Sequence, residues 1–267
     1  MALALIVGTG LVATGLAGGG PTAAAGTTPP TSPNWRIATQ IPAPLEGITE
    51  LACSTATTCV AQGSPASNTQ NSPDDAALMQ TVDGGRTWAW STVPPLPTVT
   101  TPTTAFALGA LACAPGGYCL ALDDGLLAST DAGATWSSAS LPTGLARLWA
   151  VACPSGTSCA VVGTTGTGGV EFAETADSGA SWATSPIPGV TSPSTAPPST
   201  SALSCHTTTD CLVMGPTWVS RTTDGGVTWT TGVLPTAPVG TSYDFTGLTC
   251  PSASECLASG VAMASGS

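Results

Sequence analysis

The sequence predicts an all-β fold, a β-propeller of four-stranded antiparallel blades with about five blades present, on the strength of two repeats that run in register. Ten cysteines fall into five pairs, each separated by six positions: Cys53 and Cys59, Cys113 and Cys119, Cys153 and Cys159, Cys205 and Cys211, Cys250 and Cys256. Four further segments share the form Ser/Thr-x-Asp-x-Gly-x-Thr/Ser-Trp: Thr81 to Trp88, Ser129 to Trp136, Thr175 to Trp182 and Thr222 to Trp229. Their tryptophans follow one another at 48, 46 and 47 residues, a period in the range of propeller blades.

The chain opens on an uncharged apolar stretch from Met1 to about Gly20, followed by small residues up to Gly26. Residues 1–26 read as a secretory signal peptide cleaved near Ala23 to Ala25, without the usual Lys/Arg start. A retained membrane anchor is the alternative. Residues 27–34 are a Pro/Thr linker and 35–267 the propeller. No later stretch reaches about 18 consecutive apolar residues, so membrane contact is expected only through the N-terminal segment.

Composition narrows the partners. The 267 residues carry 4 Lys+Arg against 15 Asp+Glu, a net charge of −11, and lysine is absent. Arg36, Arg86, Arg147 and Arg221 make no cationic footprint for phosphate backbones, which excludes nucleic acid. Without lysine there is no P-loop, Schiff-base or kinase-type chemistry.

Each cysteine pair encloses five residues, enough for a hairpin turn that brings two Cβ atoms to about 3.8 Å. Zinc knuckles use shorter spacings and combine with one another or with His, and His206 is the only histidine. Five local disulfides are therefore expected, in an oxidising compartment, and the chain is placed outside the cell or in its envelope. In the second repeat, Leu108 to Cys113, Cys119 to Leu122, Leu126 to Thr130 and Thr135 to Leu141 form strands A to D. The third repeats them at Leu148 to Cys153, Cys159 to Val162, Val170 to Thr175 and Ser181 to Ile187. Asp124-Gly125 is a hairpin signal between B and C. In the recurring segment, hereafter the D-turn, the Asp caps its own backbone, the Gly supplies a positive φ, and the Trp opens the next strand.

In a meander, the cysteine hairpins (A to B) and the D-turns (C to D) emerge on one face. The opposite face carries the variable segments 63–77, 92–105, 123–125, 163–169, 189–201 and 236–243, the glycine-rich 163–169 being read as a flexible loop. Trp35 to Thr39 reads as a lone D strand that closes the ring by pairing with an incomplete last blade, whose A strand is Thr246 to Cys250 and B strand Cys256 to Ala262. The alternative is a fragment of a six- or seven-bladed ring.

The four D-turns resemble the Asp-box, or BNR, repeats of sialidase-like propellers, which also occur in secreted glycoside hydrolases, sortilin-type receptors and photosystem II assembly-factor propellers. With the cysteine hairpins, the chain is most similar to secreted actinobacterial-type BNR propeller proteins. The resemblance covers about Trp35 to the C-terminus. It assigns structural roles to Asp83, Trp88, Asp131, Trp136, Asp177, Trp182, Asp224 and Trp229, and it fixes fold far better than activity.

Sialidase chemistry needs three converging arginines and a Tyr nucleophile with a carboxylate partner. The four arginines are scattered, and Tyr118 and Tyr243 are the only tyrosines. Two carboxyls about 5 to 10 Å apart would serve a glycosidase; candidates are Asp74, Asp75, Asp123, Asp124, Glu171, Glu174 and Asp244, with no compelling pair among them. His206 follows Cys205 on the hairpin face and has no nucleophile elbow to serve. No catalytic residue, cofactor or metal is assigned. The expectation is a non-enzymatic binding or scaffold module with a protein or glycan ligand on the variable-loop face, at Asp74, Asp75, Asp123, Asp124, Tyr243 and Asp244. The alternatives are an Asp-box-type glycoside hydrolase and an assembly factor.

Overall fold

The computed structural model describes residues 2–7, 45–65, 77–94, 110–122, 125–191, 202–215, 217–235 and 241–264. Every regular element among them is a strand. Strand β1 (Ala2–Val7) stands apart in sequence; the others form blades in chain order. Blade 1 is β2 (Leu45–Cys53), β3 (Cys59–Pro65), β4 (Ala77–Thr81) and β5 (Ala89–Trp90). Blade 2 is β6 (Ala110–Cys113), β7 (Cys119–Leu122), β8 (Leu126–Ser129) and β9 (Ser137–Ala139). Blade 3 is β10 (Leu145–Ser155), β11 (Ser158–Thr165), β12 (Gly169–Thr175) and β13 (Ala183–Thr191). Blade 4 is β14 (Ala202–Cys205), β15 (Cys211–Met214), β16 (Trp218–Thr222) and β17 (Thr230–Val233). Each is an antiparallel sheet whose neighbours follow the chain. The fifth sheet holds β18 (Thr241–Ser252), β19 (Glu255–Ala264) and β1.

First strands β2, β6, β10, β14 and β18 sit side by side in succession, which makes them the inner ring. Stacking explains the burial pattern. Central strands β7 and β15 are buried along their whole length and read as unbroken apolar runs, Cys-Leu-Ala-Leu and Cys-Leu-Val-Met, because a blade lies on each side. Last strands such as β17 are exposed throughout. The core is a series of layers between blades. Val60 and Leu78 of blade 1 pack with Leu111, Leu127 and Trp136 of blade 2, and Phe172 of blade 3 packs with Val213 of blade 4.

The four complete blades and the strand assignments in blades 2 and 3 agree with the sequence expectation to within a few residues. Three details differ. The segment 163–169 is no flexible loop: β11 and β12 stay paired through Thr164↔Val170. The turn is closed by Gly168 N–H donating to Thr165 O (3.1 Å) and Gly169 N–H to Thr165 Oγ1 (3.0 Å). Gly163 is needed there because a Cβ would overlap the Arg147 carbonyl at the irregular β10 register. Second, β18 begins at Thr241, so its pairing with β19 runs well beyond the expected Thr246 to Cys250. Third, the strand beside β19 is β1, in parallel register from Ala2↔Glu255 to Val7↔Gly260. An apolar strand there pairs backbone groups that an edge would leave open. The expected closing strand Trp35 to Thr39 lies outside the described residues.

Candidate functional site

The hairpin face is built from two motifs that hold each other. All five cysteine pairs are disulfide-bonded, with Cα–Cα distances from 3.9 Å to 4.1 Å. In each of the four complete blades, the fourth residue after the first cysteine accepts a hydrogen bond from the D-turn of that blade. Gly84, Ala132, Ser178 and Gly225 N–H donate to Thr57, Gly117, Thr157 and Thr209 O at 2.8, 2.8, 2.9 and 3.0 Å. Hairpins and D-turns therefore share a face, as meander geometry predicts.

Within each D-turn the carboxylate spends both oxygens locally. Asp83 Oδ1 accepts from Thr81 Oγ1 (2.9 Å) and Thr87 N–H (2.9 Å), and Oδ2 from Thr87 Oγ1 (2.6 Å). Asp131, Asp177 and Asp224 repeat the pattern with Ser129/Thr135, Thr175/Ser181 and Thr222/Thr228. Bonds from the Thr87 side chain and backbone hold the Asp83 carboxyl down at about 2. Ser181 does the same for Asp177, also at about 2. Burial pushes Asp131 up, but the bonds from Thr135 and Ser129 outweigh it and the carboxyl ends lowered. Thr228 lowers Asp224. Acceptors this saturated and this acidic are built to stay ionised in a turn, the opposite of a general acid.

The sequence-predicted ligand residues divide. Asp74, Asp75, Asp123 and Asp124 lie outside the described residues. Tyr243 and Asp244 are in β18, paired with Ala262 and Val261, and so belong to a strand where the end of a loop was expected. As residues near the start of a first strand, they stand toward the variable-loop face. Arg221 is engaged on the hairpin face, its Nε and Nη2 donating to Asp210 Oδ1 and Oδ2 at 2.8 and 2.7 Å. His206 is exposed, its backbone N–H donating to Asp210 O at 2.9 Å. No group of three or more His, Cys, Asp or Glu positioned to hold a metal occurs among the described residues.

Sequence reasoning missed Glu50. It stands on β2 opposite Gln62, at the inner-ring position that is Ala110, Ala150, Ala202 and Gly247 in the other sheets. Burial pushes its carboxyl up to about 7. Only alignment of the five strands on their cysteines would have marked it.

No family model and no curated protein matches the sequence. Solved structures do. The chain is similar to YCF48 bound to D1 peptide, with 16% identity, a TM-score of 0.50, and coverage of 79% of this chain and 59% of that one. It therefore spans less than two thirds of that structure's length. It is similar to a protein of unknown function from Dyadobacter fermentans, with 14% identity, a TM-score of 0.51, and coverage of 75% and 68%. A GH74 xyloglucanase from Xanthomonas campestris aligns at 18% identity and a TM-score of 0.49 over 77% of this chain and 33% of its own. At such identities, the YCF48 and Dyadobacter likenesses establish one property of this chain: it has the β-propeller fold.

Proposed function

We propose that the chain is an exported, disulfide-stapled propeller that binds a protein or glycan partner as a non-enzymatic module. In this reading residues 1–26 direct export, so that the pairing of β1 with β19 belongs to the chain before cleavage, 27–34 are a linker, 35–267 form the binding body, and the D-turns are Asp-box repeats. The observation that carries it is the saturation of all four repeated carboxylates by their own turns, which makes the repeats structural. The five disulfides support an oxidising compartment outside the cytoplasm. The ligand surface of this reading is the variable-loop face, to which the sequence assigns Asp74, Asp75, Asp123, Asp124, Tyr243 and Asp244, because loops on a rigid scaffold are the usual carriers of binding residues. A propeller of the same fold, YCF48, has been solved with a peptide bound, which favours a protein partner.

The test is a combined binding and turnover screen of the purified chain against extracellular proteins and a glycan panel. Saturable capture without turnover, weakened by Asp75→Asn or Asp123→Asn, is the expected result. Glycan hydrolysis lost in either variant overturns the proposal in favour of a glycoside hydrolase.

A further inference from the structure

We infer that the cleft between blades 3 and 4 on the hairpin face is a binding site for a guanidinium or alkylammonium group, anchored by the Glu174 carboxylate. Four successive joints between neighbouring sheets share one construction. In each, the earlier sheet contributes the residue before its second cysteine and the residue before its D-turn Ser/Thr: Thr58 and Gln80, Tyr118 and Ala128, Ser158 and Glu174, Asp210 and Arg221.

Three joints are filled by the chain itself. In the first, Gln80 Nε2 donates to the carbonyls of Asp131 (3.3 Å) and Ala132 (2.9 Å) in the next D-turn. In the second, the Tyr118 ring fills the space, only 3% exposed; a Cβ on Gly179 of the next D-turn would stand 2.6 Å from its Oη. In the fourth, the Arg221 guanidinium bonds Asp210 and donates through Nη2 to Ala253 O at 2.6 Å. Each joint thus holds either bulk or a nitrogen donor.

The third has neither. Ser158 stands where blade 2 has Tyr118, and a cleft of about 200 Å³ opens, lined by Pro154, Ser158, Glu174, Ala176, Thr208 and Thr209 among others. Glu174 Oε1 and Oε2 lie 3.2 and 3.3 Å from the place a Cβ on Gly225 would take. Gly225 is the counterpart of Ala132, whose carbonyl Gln80 reaches. By the shared turn geometry the carbonyls there are those of Asp224 and Gly225, so a carboxylate faces acceptors, and the side-chain donors lining the cleft are the neutral hydroxyls of Ser158, Thr208 and Thr209, with no nitrogen donor among them. The Glu174 carboxylate accepts no hydrogen bond among the described residues, although its backbone is paired within β12. Burial pushes its carboxyl above the usual range, and an adjacent cation offsets that cost.

The occupant's chemistry follows. A group that donates to a carboxylate and to carbonyls at once is a planar guanidinium or an ammonium, as Arg221 shows one joint later. The volume is below the roughly 300 Å³ at which pockets begin to enclose a drug-sized ligand, and so fits a side-chain head. The net charge of −11 draws cations toward the surface. The cleft lies on the face opposite the variable loops, so this inference and the function proposed above stand or fall separately.

The experiment titrates the full chain with N-acetylarginine amide, its uncharged citrulline counterpart and an arginine-bearing hexapeptide, followed by backbone amide NMR. Arginine compounds are expected to shift Ser158, Glu174, Thr208, Thr209 and Gly225, and the citrulline compound to leave them in place. Glu174→Gln, which copies Gln80 and so preserves the fold, weakens binding about tenfold or more, the worth of one charge-assisted hydrogen bond. Ser158→Tyr, which copies Tyr118, closes the cleft and abolishes binding. Equal affinity for the amide and the peptide assigns a small guanidinium compound, and tighter peptide binding assigns a partner's side chain; both uphold the site. Undiminished binding in Glu174→Gln, equal binding of the citrulline compound, or shifts confined to the opposite face overturns it.

Discussion

The D-turn of blade 1 and those of blades 2 to 4 make the same internal hydrogen bonds and meet different surroundings. Gly85, Gly133, Gly179 and Gly226 all sit at positive φ, between 83° and 91°. A Cβ on Gly85 would meet only its own Trp88 at 3.9 Å, an ordinary contact. On Gly133 it would overlap Val60 of blade 1, and on Gly226 it would stand 2.9 Å from Phe172 Cδ1 of blade 3. The following tryptophan reinforces the joint: Trp229 packs edge-on against Phe172, ring centroids 5.3 Å apart. One motif thus does two jobs. Its Asp and Ser/Thr build a self-contained turn, and its Gly and Trp fit that turn against the preceding blade.

Breaking the second job alone separates the two regions most widely. Gly133→Ala combines a left-handed backbone penalty of about 1–2 kcal/mol with overpacking of about 1–3 kcal/mol against Val60. The expected loss is about 3 kcal/mol in urea unfolding of the intact chain. Gly85→Ala carries the backbone penalty only, about 1–2 kcal/mol. Equal losses would show that the glycine is conserved in the repeat for its φ alone and contributes nothing to blade stacking.

Acid should affect the two regions alike, because it acts on the first job. Asp83 in blade 1 and Asp177 in blade 3 are both held at about 2 in the folded chain. A depressed folded value means the stabilisation is present above the ordinary value near 4 and is lost as pH falls from there toward 2. Asp83→Asn and Asp177→Asn are each expected to flatten the acid limb of the stability profile, and by similar amounts. A flattening confined to Asp177→Asn would tie the carboxylate to stacking and merge the two jobs.

At the inner ring the difference between blade 1 and the rest takes a titratable form. Glu50, held at about 7 where the other sheets have Ala or Gly, binds its proton more tightly folded than unfolded. Stability should therefore fall as pH rises from about 4.5 to 7, the opposite slope to the D-turns. Discounted for partial exposure, the effect is about 1–2 kcal/mol. Glu50→Ala, which copies Ala150, is expected to remove that slope, as measured by urea midpoints across the window.

What the sequence made legible follows the same division. Anything repeated was visible: five hairpins, four D-turns, strand order and the shared face, because a spacing of six cysteine positions and a period near 47 allow few other folds. Whatever distinguishes one blade from another was not. Gln80, Ala128, Glu174 and Arg221 occupy one position with unrelated chemistry, and only stacking shows which turn each confronts. Glu50 in Leu-Glu-Gly-Ile-Thr-Glu-Leu reads as ordinary strand alternation until β2 is set against the inner strands beside it. Pairing of β1 with β19 had no local signal at all, since parallel register depends on an edge that is hundreds of residues away in sequence.

The smallest expected effect tests whether filling a joint requires a donor. Tyr118 Oη is buried and has no hydrogen-bond partner among the described residues, while burial and then the Asp177 charge push its hydroxyl up to about 12. In the second joint the ring supplies volume, and the hydroxyl carries an unrecovered desolvation cost. Tyr118→Phe keeps the ring and removes that cost, so the variant is expected to be as stable as the parent or more stable by about 0.5–1 kcal/mol. In the first joint the logic reverses, because Gln80 contributes through its amide. Gln80→Met, similar in volume and without donors, should cost about 1 kcal/mol. A loss on Tyr118→Phe as large as that on Gln80→Met would mean that every joint needs a polar link, and bulk alone would then not explain why the second is closed while the third stands open.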